Sequence, residues 1–391
     1  MNRIEEWVLQ NKIMIEKGVE IIEQGCEALS ATVGKLHPIL EAVFVASAEI
    51  LHNPERKETQ YLSQQLQSLT QKLVDIQEEV GSITQEIQRI SMNKQNFDYE
   101  AQVISQYEKF CDFLDAKPEF RERKMERFLC HFESTGGDLN MDALYNAVTS
   151  TTREPMLDTV MATEQRSRRA VEKFCAQLKR LFVVGIIAVM GYASLKMGAV
   201  GREMVEKWQK RMEDIEGCMK AAVDDCVQNF ATQAEMDIER QVLEKQGSID
   251  VQFAEPLLDF LSKKYDWVSW SVRVFNHNGM FLWNWLAGKD YYGRGGSNNF
   301  FDILTKSNVR VVISFSVEPK PINKSQIQEQ IQRQQLKGKM TDVAQSLSTS
   351  IPNCAVYTIS RYKEVAESNN FQENCYYYEK YKRAYLCIHS K

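Results

Sequence analysis

Nine cysteines and five histidines are the side chains of this 391-residue chain that could bind a metal or serve as nucleophile and base. Their spacing prepares neither chemistry. His37, His52, His131, His277 and His389 are dispersed, whereas a helical metal site needs two imidazoles one turn apart with a carboxylate between them to move the proton. No cysteine pair has the close spacing of a zinc or dithiol motif, so the thiols read as reduced and buried. No Walker loop and no nucleophile elbow are present. The expectation is a protein that is not an enzyme, with no catalytic residue, no metal ligand and no cofactor.

Two stretches come nearest to a binding loop. Asp138, Asn140 and Asp142 have the spacing that opens a calcium loop, but Ala143 stands where the sharp turn wants glycine and Thr149 where a bidentate Glu should close the site. Asp138 or Asn140 then reads as a helix cap. Gly293-Arg294-Gly295-Gly296 resembles a phosphate cradle but lacks the following Lys-Ser/Thr and the strand-to-helix setting, which favours a hairpin loop.

With chemistry weak, the segment that stands out is residues 181–201, LFVVGIIAVMGYASLKMGAVG. As a helix it would be roughly 31 Å long, close to the ~30 Å hydrocarbon thickness of a bilayer. Its one charge, Lys196, lies near an end and can snorkel. The candidate membrane-contact residues are Leu181, Phe182, Val183, Val184, Gly185, Ile186, Ile187, Ala188, Val189, Met190, Gly191 and Tyr192. A central bundle helix, apolar on every face, is the competing reading. Against it stand the glycines, each costing about 1 kcal/mol relative to alanine in an ordinary helix. Arg166, Arg168, Arg169, Lys173, Lys179 and Arg180 precede the segment, and Arg202, Lys207, Lys210 and Arg211 follow it. This near-symmetry suits a hairpin bent near Gly191 and a surface for anionic headgroups.

The elements that would carry this segment are long helices. Apolar residues recur at alternating steps of four and three through Leu62, Leu66, Leu69, Leu73, Ile76, Val80, Ile83, Ile87 and Ile90, a heptad seam. Its flanking positions are mostly uncharged, so packing on another helix of the same chain is the simpler reading, with homo-oligomerisation also open. The helix would run to Lys117-Pro118, ~80 Å in all. A second is expected from Arg202 to about Gly247, with Met204, Trp208, Met212, Ile215, Met219, Cys226 and Phe230 on one face. The part between Pro118 and Arg180 is helical and broken at Gly136-Gly137 and Glu154-Pro155.

Past Gly247 the character changes. Residues 267–276, 280–286, 309–317, 354–360 and 376–389 are β-branched and aromatic and read as strands, with a helix over 325–347. The aromatics Trp267, Trp270, Phe281, Trp283, Trp285, Tyr291, Tyr292, Phe300, Phe301 and Tyr376-Tyr377-Tyr378 would either fill a two-layer core or make a surface for a protein, glycan or headgroup. The fold class expected is mainly α, an elongated antiparallel bundle with long coiled-coil helices and an apolar insert over 1–250, plus an aromatic-rich α+β domain over 251–391.

A net charge of -5 gives no global basis for nucleic-acid binding. Acidic residues interrupt the first twenty positions where a secretory signal needs an apolar core, so the protein is expected to be cytoplasmic or membrane-associated. On an exported chain Cys354, Cys375 and Cys387 would be candidates for a bridge and Asn323-Lys324-Ser325 a glycosylation sequon.

LYNAVTS (residues 144–150), the Pro155-Met156-Leu157 helix start, the spacing to Cys175 and above all RLFVVGIIAVMGY (residues 180–192) resemble the rapunzel family of fish and the related cephalotoxin-like proteins. The resemblance covers roughly residues 1–230. It implies no enzymatic activity and carries over no catalytic residue. Its layout is similar to that of α-helical pore-forming toxins, though its toxin-like members are secreted and this N-terminus does not read as a signal. The expected function is a non-enzymatic membrane-interacting helical protein. The alternative is a cytosolic coiled-coil interaction or scaffold protein with residues 181–201 buried as core.

Overall fold

A computed structural model describes residues 94–149, 155–197, 201–245, 250–276, 292–360 and 364–391, with isolated positions between 33 and 71. The heptad seam from Leu62 to Ile90 and the strand expected over 280–286 lie outside the described residues. The chain is mainly α with an α+β C-terminal region, and it divides into two compact units, Met1–Val227 and Gln228–Lys391.

In the first unit the described helices are α1 (Lys94–Leu114), α2 (Pro118–Ser134), α3 (Leu139–Val148), α4 (Met156–Thr163), α5 (Arg168–Met197) and α6 (Arg202–Gln228). α1 stops where the sequence says it must. Lys117 is held extended at φ -56°, ψ 149° by the proline that follows, and Pro118 then opens α2, where a missing N–H costs nothing. α2 folds back antiparallel to α1: His131 shares a hydrogen bond of 2.8 Å with Ser105, and Phe128 packs on Phe110 with ring centres 5.3 Å apart. The Asp138 and Asn140 caps are not made. Asp138 makes no side-chain cap bond, and Asn140 Nδ2 donates back to the Thr135 carbonyl at 2.6 Å.

The helix expected from Arg202 to Gly247 is two helices. α6 ends at Gln228, and α7 (Phe230–Glu244) follows after Asn229. Phe230, Ala234, Ile238 and Val242 of α7 join the core of the second unit with Leu257 and Leu261 of α8 (Ala254–Lys264).

That second unit has four layers. One sheet contains β1 (Ser269–Asn276), β3 (Phe300–Leu304), β4 (Val309–Ser316) and β6 (Val365–Asn369) in the order β3-β4-β1-β6. The other contains β2 (Tyr292–Gly295), β5 (Cys354–Ser360), β7 (Tyr376–Lys380) and β8 (Ala384–Ser390) in the order β2-β5-β8-β7. Every pairing is antiparallel. The period of two in β1 explains the layering: Trp270, Val272 and Val274 face α7 and α8, while Phe275 faces the second sheet. On β5 and β8, Val356, Leu386 and Ile388 face α9 (Lys324–Gln334) and α10 (Met340–Ser350), whereas Tyr357 and Cys387 face the first sheet.

Both faces of both sheets are therefore covered, so Trp270, Phe301, Tyr376 and Tyr377 are interior and the two-layer alternative gives way to α/β/β/α, while Phe281, Trp283, Trp285 and Tyr291 lie outside the described residues. The single helix expected over 325–347 is broken at Gln335 and Leu336, both with positive φ, 55° and 46°. The strand expected over 376–389 is the hairpin β7–β8.

α7 and α8 are joined by one buried carboxylate. Asp237 accepts from Gln233 at 3.0 Å, Arg240 at 2.7 Å and Tyr265 at 2.7 Å, and also from Lys264. Truncating it strands two cations and a phenol, so Asp237→Ala is expected to cost about 3–5 kcal/mol, read as an earlier urea midpoint.

Candidate functional site

The apolar stretch is one continuous helix from Arg168 to Met197, so the hairpin bent at Gly191 does not form. Residues 181–191, together with Ala193 and Ser194, are buried, and Tyr192 is half-buried. Residues 198–200 are outside the described set, and Gly201 precedes α6. The helix is apolar all round because it has neighbours all round, including Val33, Leu36 and Leu40, which share its core. Among the described residues it is the one helix long and apolar enough to cross a membrane.

Two glycines that sequence alone counted against a core helix are places where neighbouring side chains sit directly on α5. A Cβ on Gly185 would lie 3.0 Å from Val103 Cγ1 and overlap the Met141 thioether, and one on Gly191 would lie 2.5 Å from Phe110 Cε2. Val103 beside Gly185 and Phe110 beside Gly191 mean that α1 and α5 run parallel. The missing signal was pairwise, since a glycine in a helix looks costly until its partner is known.

Acidic residues face the basic flanks of α5. Arg166 pairs with Asp225, Lys179 with Glu216 at 3.7 Å, and Lys196 with Glu133 at 3.0 Å. Tyr192 donates to the same Glu133 oxygen at 2.7 Å and stacks on Phe132 at 4.4 Å. The Tyr192 hydroxyl and the Lys196 ammonium hold the Glu133 carboxyl below its ordinary range. After the segment, Lys207 and Arg211 of α6 both pair with Asp142 of α3, and the Arg211 guanidinium lies 4.7 Å from the Tyr145 ring centre. These pairs are half-buried or exposed and in contact with water, so each stabilises little and serves more to orient the helices.

A second polar centre, unforeseen from the sequence, lies between the two sheets. Arg273 is fully buried and donates to Ser271 Oγ (3.2 Å), Ser314 Oγ (2.8 Å) and Cys387 Sγ (3.0 Å), with the Tyr357 ring 4.1 Å away. Ser314 lies 2.8 Å from His389 Nε2, and Nδ1 lies 2.7 Å from the Ser390 carbonyl, so the neutral imidazole donates through Nδ1. Burial and the nearby Arg273 charge push His389 down to about 3. Burial raises the Cys387 thiol, although Arg273 pulls the other way. Tyr376 bridges this centre to Glu367 at 2.5 Å. A neutral imidazole, a protonated thiol and a sealed cation hold two sheets in register. One charged residue in WVSWSVRVFN, on the face of Ser271 and Phe275, was the available sequence signal.

The remaining sequence candidates come together only in part. His131 meets Ser105, while His37, His52 and His277 lie outside the described residues. No group of His, Cys, Asp and Glu that could hold a metal ion occurs among the described residues. The described cysteines are free. The glycines of the 293–296 cluster are packing positions: Cβ atoms on Gly293 and Gly295 would collide with the α10 backbone at Met340 and Ala344.

The model of the cephalotoxin-like middle helical domain matches residues 52–247. The chain belongs to the rapunzel/cephalotoxin-like family. It is similar to Protein rapunzel of Danio rerio, 26% identical over 215 residues that make up 54% of this chain and 94% of that relative. No solved structure matches it significantly. The cephalotoxin-like match takes in the whole of α5 and continues through α7, past the division between the compact units at Val227.

Within the cephalotoxin-like region one more group stands out. Glu100 of α1 is buried, its Oε1 has no hydrogen-bond partner among the described residues, and desolvation raises it to about 7. A carboxyl raised in the fold favours folding when protonated, so its contribution is complete in acid and is lost as pH rises through about 7. Glu100→Gln is expected to leave stability below pH 4 nearly unchanged and to raise it by about 3 kcal/mol above pH 8, read from urea midpoints. The glycines give a second prediction. Gly191→Ala should destabilise by about 1–2 kcal/mol despite its better helix propensity, because Phe110 is wedged against Phe113 and Phe128. Gly185→Ala should be near neutral, since the flexible Met141 side chain can swing aside.

Proposed function

We propose that this family member is a non-enzymatic helical protein that acts on membranes, with α5 held in the core of its helical unit and transferred to a bilayer on release. The observation that carries the proposal is α5 itself, uncharged from Leu181 to Leu195 over roughly 22 Å and ending in a lysine that can reach the headgroups. A helix satisfies its own backbone groups and can leave one apolar surrounding for another. What the move forfeits is close packing, which hydrocarbon chains only partly replace. Release would also free Lys179, Lys196 and Arg166 from their carboxylates to meet anionic headgroups. Membership of a family named for a toxin supports this reading, as does the likeness of the long-helix layout to α-helical pore formers. Such proteins act as oligomers, and we extend that to this chain.

The fit of Gly191 against Phe110 favours a second reading, a soluble interaction protein for which α5 is permanent core. Flotation with anionic liposomes followed by dye release separates the two, using the wild type and Gly191→Val, which overpacks the α1–α5 contact. Membrane action is expected to show as co-flotation with leakage, stronger in the variant. A wild type and a loosened variant that both remain at the bottom of the gradient would sink it.

A further inference from the structure

The second unit has an open cleft of about 480 Å³ at the edge of its sandwich where β2 of one sheet and β3 of the other end the two strand orders. Arg294, Ser297, Asn298, Asn299, Gln345 and Lys391 line it with Gly295 and Gly296. Among the described residues no carboxylate side chain lines the cleft. In a chain with 53 Asp and Glu residues against 48 Lys and Arg, a cleft lined by two basic residues and no Asp or Glu stands out.

The arginine is also held in place. Gly293 and Gly295 press against α10, so Arg294 between them projects to the other face, where its guanidinium lies 3.6 Å from the centre of the Phe300 ring. Arg240, Arg310 and Arg333 of the same unit each pair with a carboxylate, at Asp237, Asp302 and Glu329. Arg294 has a ring face instead, which orients a guanidinium without neutralising it and leaves its N–H edge for a ligand.

The loop opposite is fixed as well. Ser297 Oγ accepts from the Asn299 amide at 3.0 Å, which leaves its hydroxyl hydrogen to donate, and the Phe315 amide anchors the Asn299 carbonyl at 3.1 Å. Lys391, an exposed residue of the cleft lining, is tied through its backbone to Asn353 at 3.1 Å and Ser316 at 2.8 Å.

We propose that this cleft binds a phosphate-type anion, with Arg294 as the oriented bidentate partner, Lys391 as the second charge, and the Ser297 hydroxyl and Asn298 amide as neutral donors. The ligand chemistry is the same whether the phosphate is free in solution or belongs to a lipid headgroup. The site stands on its own residues and does not require that α5 enter a bilayer.

The test uses the full chain with two probes: inorganic phosphate followed by titration calorimetry, and flotation with phosphatidylcholine vesicles with and without phosphatidic acid. Arg294→Ala and Lys391→Ala should each weaken phosphate binding by about tenfold or more, and Arg294→Lys should fall between them and wild type. Arg294 is exposed, so circular dichroism should show the variants folded. Loss of both phosphate and phosphatidic acid binding in Arg294→Ala places a headgroup in the cleft, and loss of phosphate binding alone places a soluble anion there. Wild-type protein that binds neither probe, or variants that bind both as well as wild type does, would overturn the site. Phosphate capture without dye release would leave the site standing and count against the role of α5, whereas dye release unaffected by Arg294→Ala and without phosphate capture would remove the site alone.

Discussion

The helical unit depends on one contact above all, the seat of the Phe110 ring of α1 against Gly191 of α5, with Met141 and Val103 packed against Gly185 earlier on the same helix. Without side chains at those two points, Val103, Phe110 and Met141 pack directly on α5, and the rest of the core can close around the apolar stretch. The ion pairs on its flanks follow from that placement. Lys196 meets Glu133 because Tyr192 is already stacked on Phe132, and Lys179 meets Glu216 because α6 lies antiparallel beside it. A helix with this composition is shielded from water only while its neighbours are in place, so the packing of the other helices is what keeps it buried.

Much of this was legible in advance, and the reasons differ by element. The apolar run, the Pro118 break and the α-to-β change of character are local properties, visible in a window of a dozen residues. The resemblance carried by residues 180–192 led to the family that the matched region 52–247 establishes. The break at Asn229 was not legible, because α6 and α7 are both amphipathic and only their cores, one shared with α5 and one with β1, distinguish them. β2, β3 and β6 escaped notice as short edge strands: Tyr292–Gly295 carries glycine where β-propensity expects branching, and β2 and β6 pair with strands distant in sequence.

Arg273 shows how a residue that looks misplaced can organise a core. A fully buried guanidinium costs far more than a hydrophobe unless its donors are met. Here Ser271, Ser314 and Cys387 meet most of them, and the face of Tyr357 covers the cation. Such a centre tolerates only one registration of the two sheets, since a one-residue slip of β8 would turn Cys387 and His389 away from it. The contrast with Arg294, stacked on Phe300 at the rim, separates a cation used to specify structure from one left available to solvent.

β8 sits between β5 and β7, although it is the last strand of its sheet to be made. During translation the residues of the first sheet, α9, α10 and β5 are all made before the strand that carries Leu386, Cys387 and Ile388, so for that interval the edge of β5 is unpaired and α9 and α10 lack the part of their cover that Leu386 and Ile388 supply. The long separations across both sheets, such as Arg273 opposite Glu367, add to the delay. The second unit is therefore a late-closing fold, completed only when its central strand β8 is in place.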